Sequence, residues 1–418
     1  MRFDGSTGLA LPSTFFADRP AWWAVPLVAA AVVFSFWGTI GKPDCMDEDF
    51  GSYYRAARAV AAGQSPYLLD EHGWLGAYPY APVFPYLLIP LGQLDYLWAC
   101  RLWLLLNWLT LAACCGLVLR LAGSSWAGPH WQWLMLGLIP TAAYIWATLR
   151  VGQVSLLMFL GCLAWADFRR RGWRFAGGFC LAPACALKLA PGVFIPYMLL
   201  RRDFRGLAGV AAASAALALA PAAWVGLDGV VPLHRQWIQH TSQTQVPEQT
   251  FRPGNQSLLA QLARLPAISS GHELYSKENL DRLCAWYPVL VAGLLGLLLV
   301  GLAWRKLDPS LGGETLEVAL LLVFLTLAHP RGWRCNYAAM LLPCTILASI
   351  VYERQPRWQW ALCALAAMTV ACAWPTDGVG EDGWSLWSWL LLGKHFWGAM
   401  AVGAACWWTR PRLSNLTG

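Results

Sequence analysis

The sequence predicts an all-α protein threaded repeatedly through a membrane, and three observations carry that reading. Of the 418 residues, 58% are hydrophobic and 13% charged, with a mean hydropathy of +0.45, whereas a soluble domain carries about 25% charged residues. Apolar runs recur too often for separate soluble cores, so one embedded body fits the length better than two or three domains. The 27 tryptophans suit a chain that meets the bilayer interface many times, where Trp concentrates. The net charge of +7 reads as the Lys/Arg bias of cytoplasmic loops. No basic stretch interleaved with aromatics occurs, so no nucleic-acid partner is expected. Most of the 13 cysteines lie inside apolar runs, where Cys behaves as a small hydrophobe, and no CxxC or metal-ligand spacing appears.

A crossing helix takes about 20 mostly apolar residues. Residues 1–20 are polar and Pro-broken and do not read as a cleavable leader, and 21–40 is the first candidate span. Further candidates are 96–119, 131–149, 151–168, 206–226, 284–304, 315–330, 336–352, 358–374 and 386–408. Residues 79–94 are apolar but short and carry four prolines, which suits a segment that dips in and returns. Residues 175–200 are long but interrupted by Lys188 and Pro191. They are flanked by Arg169-Arg170-Arg171 on one side and Arg201-Arg202 on the other. Both clusters belong in the cytoplasm by the positive-inside rule, which a single crossing cannot satisfy. A hairpin of two half-helices broken at Lys188-Leu189-Ala190-Pro191 can, each arm of about 13 residues rising about 20 Å. Its tip becomes a cavity wall, because broken helices at membrane depth need protein or water to cover their backbone. The expected architecture is ten to twelve transmembrane helices in one integral domain over 1–418. The loops 42–81, 227–283, 329–335 and 375–385 then fall outside, and residues 346–418 supply the C-terminal helices.

Polar groups in such a chain need a reason. Asp47, Glu48 and Asp49 run into an amphipathic stretch from Phe50 with helical spacing that belongs in the interface. They read as a solvated loop, as a divalent-cation site, or as a base whose pKa rises with partial desolvation. Arg150, in the turn between two spans, reads either as a plain connector or as a phosphate binder beside Gln153. Lys188, in mid-run, costs at least ~2.5–3.5 kcal/mol to place there and reads as charge compensation for an anionic headgroup. Asn255-Gln256-Ser257 offers carboxamides and a hydroxyl to a sugar, and also matches a glycosylation sequon. His329, Arg331, Trp333 and Arg334 share one short turn with Asn336 and Tyr337, a grouping suited to a phosphate-sugar ligand with Trp333 stacking on a sugar face.

Taken in order, these motifs resemble glycosyltransferase family 87, a group of polytopic mannosyltransferases with the GT-C fold. The resemblance runs over about 45–345. It rests on Asp49-Phe50-x-x-Tyr53-Tyr54-x-Ala56-Ala57, Gly63-x-x-Pro66-Tyr67, Tyr78-Pro79-x-Ala81-Pro82, Gly152-Gln153-x-x-Leu156-Leu157, Lys188-Leu189-x-Pro191, Asn255-Gln256-Ser257-Leu258 and Pro330-x-x-Trp333. The family implies transfer of a sugar, typically mannose, from a polyprenyl-phosphate donor to a lipid or glycan acceptor at the outer face of the cell membrane. It places the catalytic carboxylate in the first outer loop, a role that falls on Asp49. The chain departs from the pattern at Tyr80, where the family has a second Pro, at His329, where it has Ser, and at Cys335-Asn336-Tyr337.

The resulting expectation assigns catalysis to Asp49 with His329. Donor phosphate binding falls to Arg150, Lys188, Arg331 and Arg334, and sugar or acceptor binding to Tyr53, Tyr54, Gln153, Asn255, Gln256 and Trp333. No cofactor is required, since a phosphate leaving group needs no protonation; a divalent cation is an option and no protein metal site is assigned. A lipid-linked sugar flippase and an O-antigen ligase-like transferase are the rival readings.

Overall fold

The computed structural model describes residues 46, 49–67, 78–123, 131–243, 250, 254–270, 277–304, 311–353, 357–373 and 386–409. The first candidate span, the 375–385 loop, Asp47 and Glu48 lie outside these residues. Among the described residues the secondary structure is helical throughout, with no strand.

The chain begins with α1 (Phe50–Ala61), then the short pair α2 (Val83–Leu87) and α3 (Ile89–Gly92) in the proline-rich segment. The long helix α4 (Tyr96–Leu121) starts where the Asp95 carboxylate accepts the Leu97 N–H, one of the donors a helix start leaves unmade. α5 (Trp131–Leu138) and α6 (Ala142–Val151) follow, joined by one 3₁₀ turn at Ile139–Thr141 around Pro140. Next come α7 (Ser155–Arg170), α8 (Arg174–Leu187), α9 (Phe194–Leu200), α10 (Phe204–Leu219) and α11 (Ala222–Gln243). The remaining helices are α12 (Leu258–Ser270), α13 (Lys277–Trp304), α14 (Leu311–Ala328), α15 (Leu341–Tyr352), α16 (Trp358–Ala373), α17 (Leu386–Leu392) and α18 (Lys394–Thr409). Four helical stretches among the described residues are long and apolar enough to cross a membrane: Tyr96–Leu121, Trp131–Val151, Glu278–Trp304 and Arg334–Tyr352. The pair Phe204–Leu219 and Ala222–Ser242 would make a fifth but is bent by 99°. That bend separates α11 from the 206–226 span expected from the sequence. The expected 386–408 span is likewise two helices, parted at Gly393, with α18 starting on Lys394.

The hairpin is built as its flanking charges require. α8 ends at Lys188, whose backbone is extended (φ −147°, ψ 134°), and a 3₁₀ turn at Ala190–Val193 carries Pro191 before α9 returns. Arg169, just before the hairpin, meets Asp203, just after it, at 3.2 Å, so both ends lie on one side. The same end holds ion pairs of Arg169 with Glu314, Arg201 with Glu317, and Arg120 and Arg171 with Asp167. Tyr197 donates to Glu317 at 2.7 Å and lies under the Arg169 and Arg201 guanidinium groups. Glu317 is buried, and a buried carboxylate is tolerable only with such partners. The arm α8 packs against α10 at a glycine contact: a Cβ on Gly209 would fall 2.1 Å from the Phe175 carbonyl. That closeness leaves no room for a side chain. The tip carrying Lys188 is thus held at the opposite end of the hairpin from the ionic cluster.

Candidate active site

A cavity of roughly 640 Å³ lies against the hairpin tip. Asp49 enters it from the first residue before α1, Gln153 from the turn after α6, and Lys188 from the tip. Asn255 comes from the segment before α12, and His329, Arg331, Trp333 and Asn336 from the turn after α14. Asp281 and Cys284 of α13 close another wall.

Asp49 holds the cap position of α1, yet its carboxylate makes no capping bond. The Ser52 hydroxyl instead donates to the Asp49 carbonyl at 2.7 Å, and the half-buried carboxylate lines the cavity. Aromatic packing fixes the start of this helix: Phe50 stacks on Trp103 with ring centres 5.4 Å apart, and the Trp103 indole N–H donates to the Gly152 carbonyl at 2.6 Å. Gly152 has φ +69°, and a Cβ there would stand 2.7 Å from that of Phe50, so glycine is needed for both conformation and space. The negative charge of Asp49 is felt at Lys188, Tyr53, Tyr80 and Cys335, which puts these groups around one centre.

Lys188 Nζ donates to Ser155 Oγ at 2.8 Å and to Asn336 Oδ1 at 2.6 Å. Gln153 Oε1 in turn accepts from the Ser155 N–H at 2.9 Å and the Ser155 hydroxyl at 2.8 Å. The 329–333 turn is clamped from two sides. Asn336 Nδ2 donates to the Arg331 carbonyl at 2.7 Å, and Asn255 accepts the Gly332 N–H at 2.9 Å while donating to the Pro330 carbonyl at 3.1 Å. The Ser257 hydroxyl adds a bond to the same Pro330 carbonyl at 2.9 Å. His329 Nδ1 accepts the Arg331 N–H at 3.1 Å, which leaves its proton on Nε2. Burial, and then the charge of Lys188, push the imidazole down to about 3, so it is neutral at ordinary pH. As a neutral ring with Nδ1 engaged, His329 offers the cavity a hydrogen-bond donor and not a free base.

The cavity brings together Asp49, Gln153, Lys188, Asn255, His329, Arg331 and Trp333. The other expected site residues lie elsewhere. Arg150 is exposed in the last turn of α6 and outside the lining, as is Arg334 at the start of the 3₁₀ turn Arg334–Met340. Tyr54 donates to the Leu94 carbonyl at 2.7 Å and packs on Tyr96. Tyr53 stands behind the lining, its hydroxyl 2.8 Å from that of Tyr80, which is the phenol that faces the cavity. Gln256 is buried and bonds the Leu392 carbonyl. Ser52, Tyr80, Thr241, Thr250, Asp281 and Asn336 join the lining without having been singled out as site residues. Asp281 sits between Lys277 and Arg282 in a polar helix start, which in sequence looks like any solvated turn. Among the described residues no group of three His, Cys, Asp or Glu is placed to hold a metal ion.

Two carboxylates (Asp49 and Asp281), two cations and a neutral imidazole around one cavity at the edge of an apolar helical body can hold an anionic lipid headgroup and take a proton beside it. The sequence model of glycosyltransferase family 87 matches residues 78–330, and the chain belongs to that family. The match begins after Asp49 and ends just before Arg331. Two curated relatives carry the name polyprenol-phosphate-mannose-dependent alpha-(1-2)-phosphatidylinositol mannoside mannosyltransferase. The one from Mycolicibacterium smegmatis is 29% identical over 290 residues, covering 66% of this chain and 61% of the relative. The one from Mycobacterium tuberculosis is 28% identical over 285 residues, covering 65% and 60%. The chain therefore spans about three-fifths of the length of these relatives. No solved structure matches it.

Proposed function

We propose that the protein is a membrane glycosyltransferase that moves a hexose, mannose first among candidates, from a polyprenyl-phosphate sugar to a lipid or glycan hydroxyl. The observation that carries this reading is the joint presence of Asp49, Lys188, His329 and Arg331 on one cavity. Family membership and the names of the relatives support the donor class, and a phosphatidylinositol mannoside is the acceptor to test first. In the reaction, the acceptor oxygen attacks the anomeric carbon while its proton passes to the Asp49 carboxylate. The bond from that carbon to the phosphate oxygen breaks, its electron pair leaves on the polyprenyl phosphate, and the configuration inverts. Lys188 and Arg331 stabilise the departing dianion, and charge preorganised in a partly dry site is usually the largest catalytic contribution. The His329 Nε2–H supplies a neutral donor to a phosphate or sugar oxygen. The active site faces the extracytoplasmic side of the cell membrane, opposite the arginine-rich end of the hairpin, within a GT-C-type body of ten to twelve spans.

The test incubates purified protein in lipid nanodiscs with a panel of polyprenyl-phosphate sugars and acceptors, and reads released polyprenyl phosphate together with glycosylated product. A positioned base contributes ~10²–10⁴-fold, so Asp49→Asn is expected to lower turnover by at least 10²-fold with the melting temperature unchanged. Full activity in that variant would remove Asp49 from the mechanism, and lipid movement across proteoliposomes without sugar transfer would favour a flippase.

A further inference from the structure

Lys188 is held in an unusual way for a cation at this depth. A buried ammonium is most often neutralised by a carboxylate, and the hairpin base shows that this chain does so freely, pairing Arg169, Arg201 and Arg120 with acids. At the tip the two acceptors of Lys188 are a hydroxyl and a carboxamide, and among the described residues it makes no ion pair. Asn336 does two jobs at once. Its Oδ1 fixes the ammonium and its Nδ2 fixes the Arg331 carbonyl. The Lys188 ammonium and the backbone of Arg331 are therefore both held by one side chain that carries no charge and is 3% exposed.

We infer that Asn336 is a positioning residue that keeps Lys188 oriented without itself neutralising it, so that the charge is available to a phosphate monoester in the cavity. The inference rests on the reading of the cavity as a lipid-phosphate site, but not on sugar transfer. A carboxylate at 336 would satisfy the same geometry at Nζ and cancel the charge. Ser155 and Gln153 complete the neutral cradle from the other side, since Gln153 Oε1 takes the Ser155 proton and leaves the hydroxyl oxygen as an acceptor for Lys188.

The experiment measures binding of farnesyl phosphate, and of uncharged farnesol as its control, to the full-length protein in nanodiscs. Wild type is compared with Asn336→Asp, Asn336→Ala and Lys188→Met. The expected order of farnesyl phosphate affinity is wild type, then Asn336→Ala, then Asn336→Asp, the last weakened at least tenfold and close to Lys188→Met, with farnesol binding unchanged throughout. A purely structural role for Asn336 gives the reverse order of the two variants, because Asp preserves shape, and weakens farnesol in parallel. That outcome overturns the inference. Should Asn336→Asp not fold, Ser155→Asp places the carboxylate on the other acceptor and is read in the same way. If Lys188→Met binds farnesyl phosphate as tightly as wild type, the phosphate-site reading itself falls. If Lys188→Met loses binding while both carboxylate variants keep it, only the role of Asn336 is lost.

Discussion

His329 shows how much a single hydrogen bond decides. Its place just before a Pro and two arginines marks it in the sequence as a catalytic candidate, but the Arg331 N–H on Nδ1 and the neighbouring ammonium keep it neutral and half engaged. Two outcomes follow at this scale. The acid limb of the pH–rate profile should stay in place in His329→Gln, because the folded imidazole does not titrate there. The stability of wild type should also fall as pH drops from about 6.5 toward about 3, the interval in which the unfolded chain takes up a proton that the folded ring refuses. Thermal melting between pH 7 and 4 should therefore show a shallower slope for His329→Gln than for wild type. The aromatic wall has a similar lesson. Tyr53 lies in the motif that the family resemblance highlights, but Tyr80 is the residue that reaches the cavity, with the Tyr53 hydroxyl behind it.

The hairpin and the α1 start are the elements that place the chemistry. The hairpin was legible because two arginine clusters on either side of one apolar run cannot both be cytoplasmic after a single crossing. What charge counting could not supply were the acids that receive those arginines, since Asp167, Asp203, Glu314 and Glu317 are scattered over nearly 150 residues of sequence. Glu317→Ala should uncover Arg201 and Tyr197 at the hairpin base and lower the melting temperature, as loss of one partner from a buried ion pair does. Gly152→Ala tests the other element. It combines a left-handed backbone with a Cβ 2.7 Å from Phe50, so it should displace the start of α1. Transfer should fall at least tenfold, with donor affinity changed less, because Lys188 and Arg331 sit on other elements. Steady-state rates with donor titrations would show the split.

For the whole molecule, the ionic cluster and the cavity lie at opposite ends of the hairpin, and the sidedness of the reaction follows from which end is cytoplasmic. In a background with the native cysteines replaced by serine, a cysteine at Arg202 should react with an impermeant maleimide only from the cytoplasmic side, and one at Arg150 only from the other. The opposite labelling pattern would invert the assignment of the active site. The long helix α13 shows how sequence and tertiary structure share the work. Its run of leucines and valines reads as a span, and Trp286, Val289, Leu297, Val300 and Trp304 are exposed as a lipid-facing surface would be. Its first turns, however, supply Asp281 and Cys284 to the cavity, a contribution no periodicity could reveal.

By itself the sequence determined a helical membrane body, the broken hairpin, the family, and a small set of polar residues too costly to bury without purpose. These are properties of composition and spacing, which survive without knowing what touches what. Only the tertiary structure decided which of those polar groups share a cavity. Arg150, Arg334, Tyr54 and Gln256 read as well in the sequence as Lys188 and Arg331, but exposure or hydrogen bonds to other parts of the fold take them elsewhere. Asn336 became visible as the hinge of the site only once its two bonds, to residues at sequence distances of 148 and 5, were drawn. Convergence of groups so far apart along the chain depends on helix packing, and local residue pattern carries no record of it.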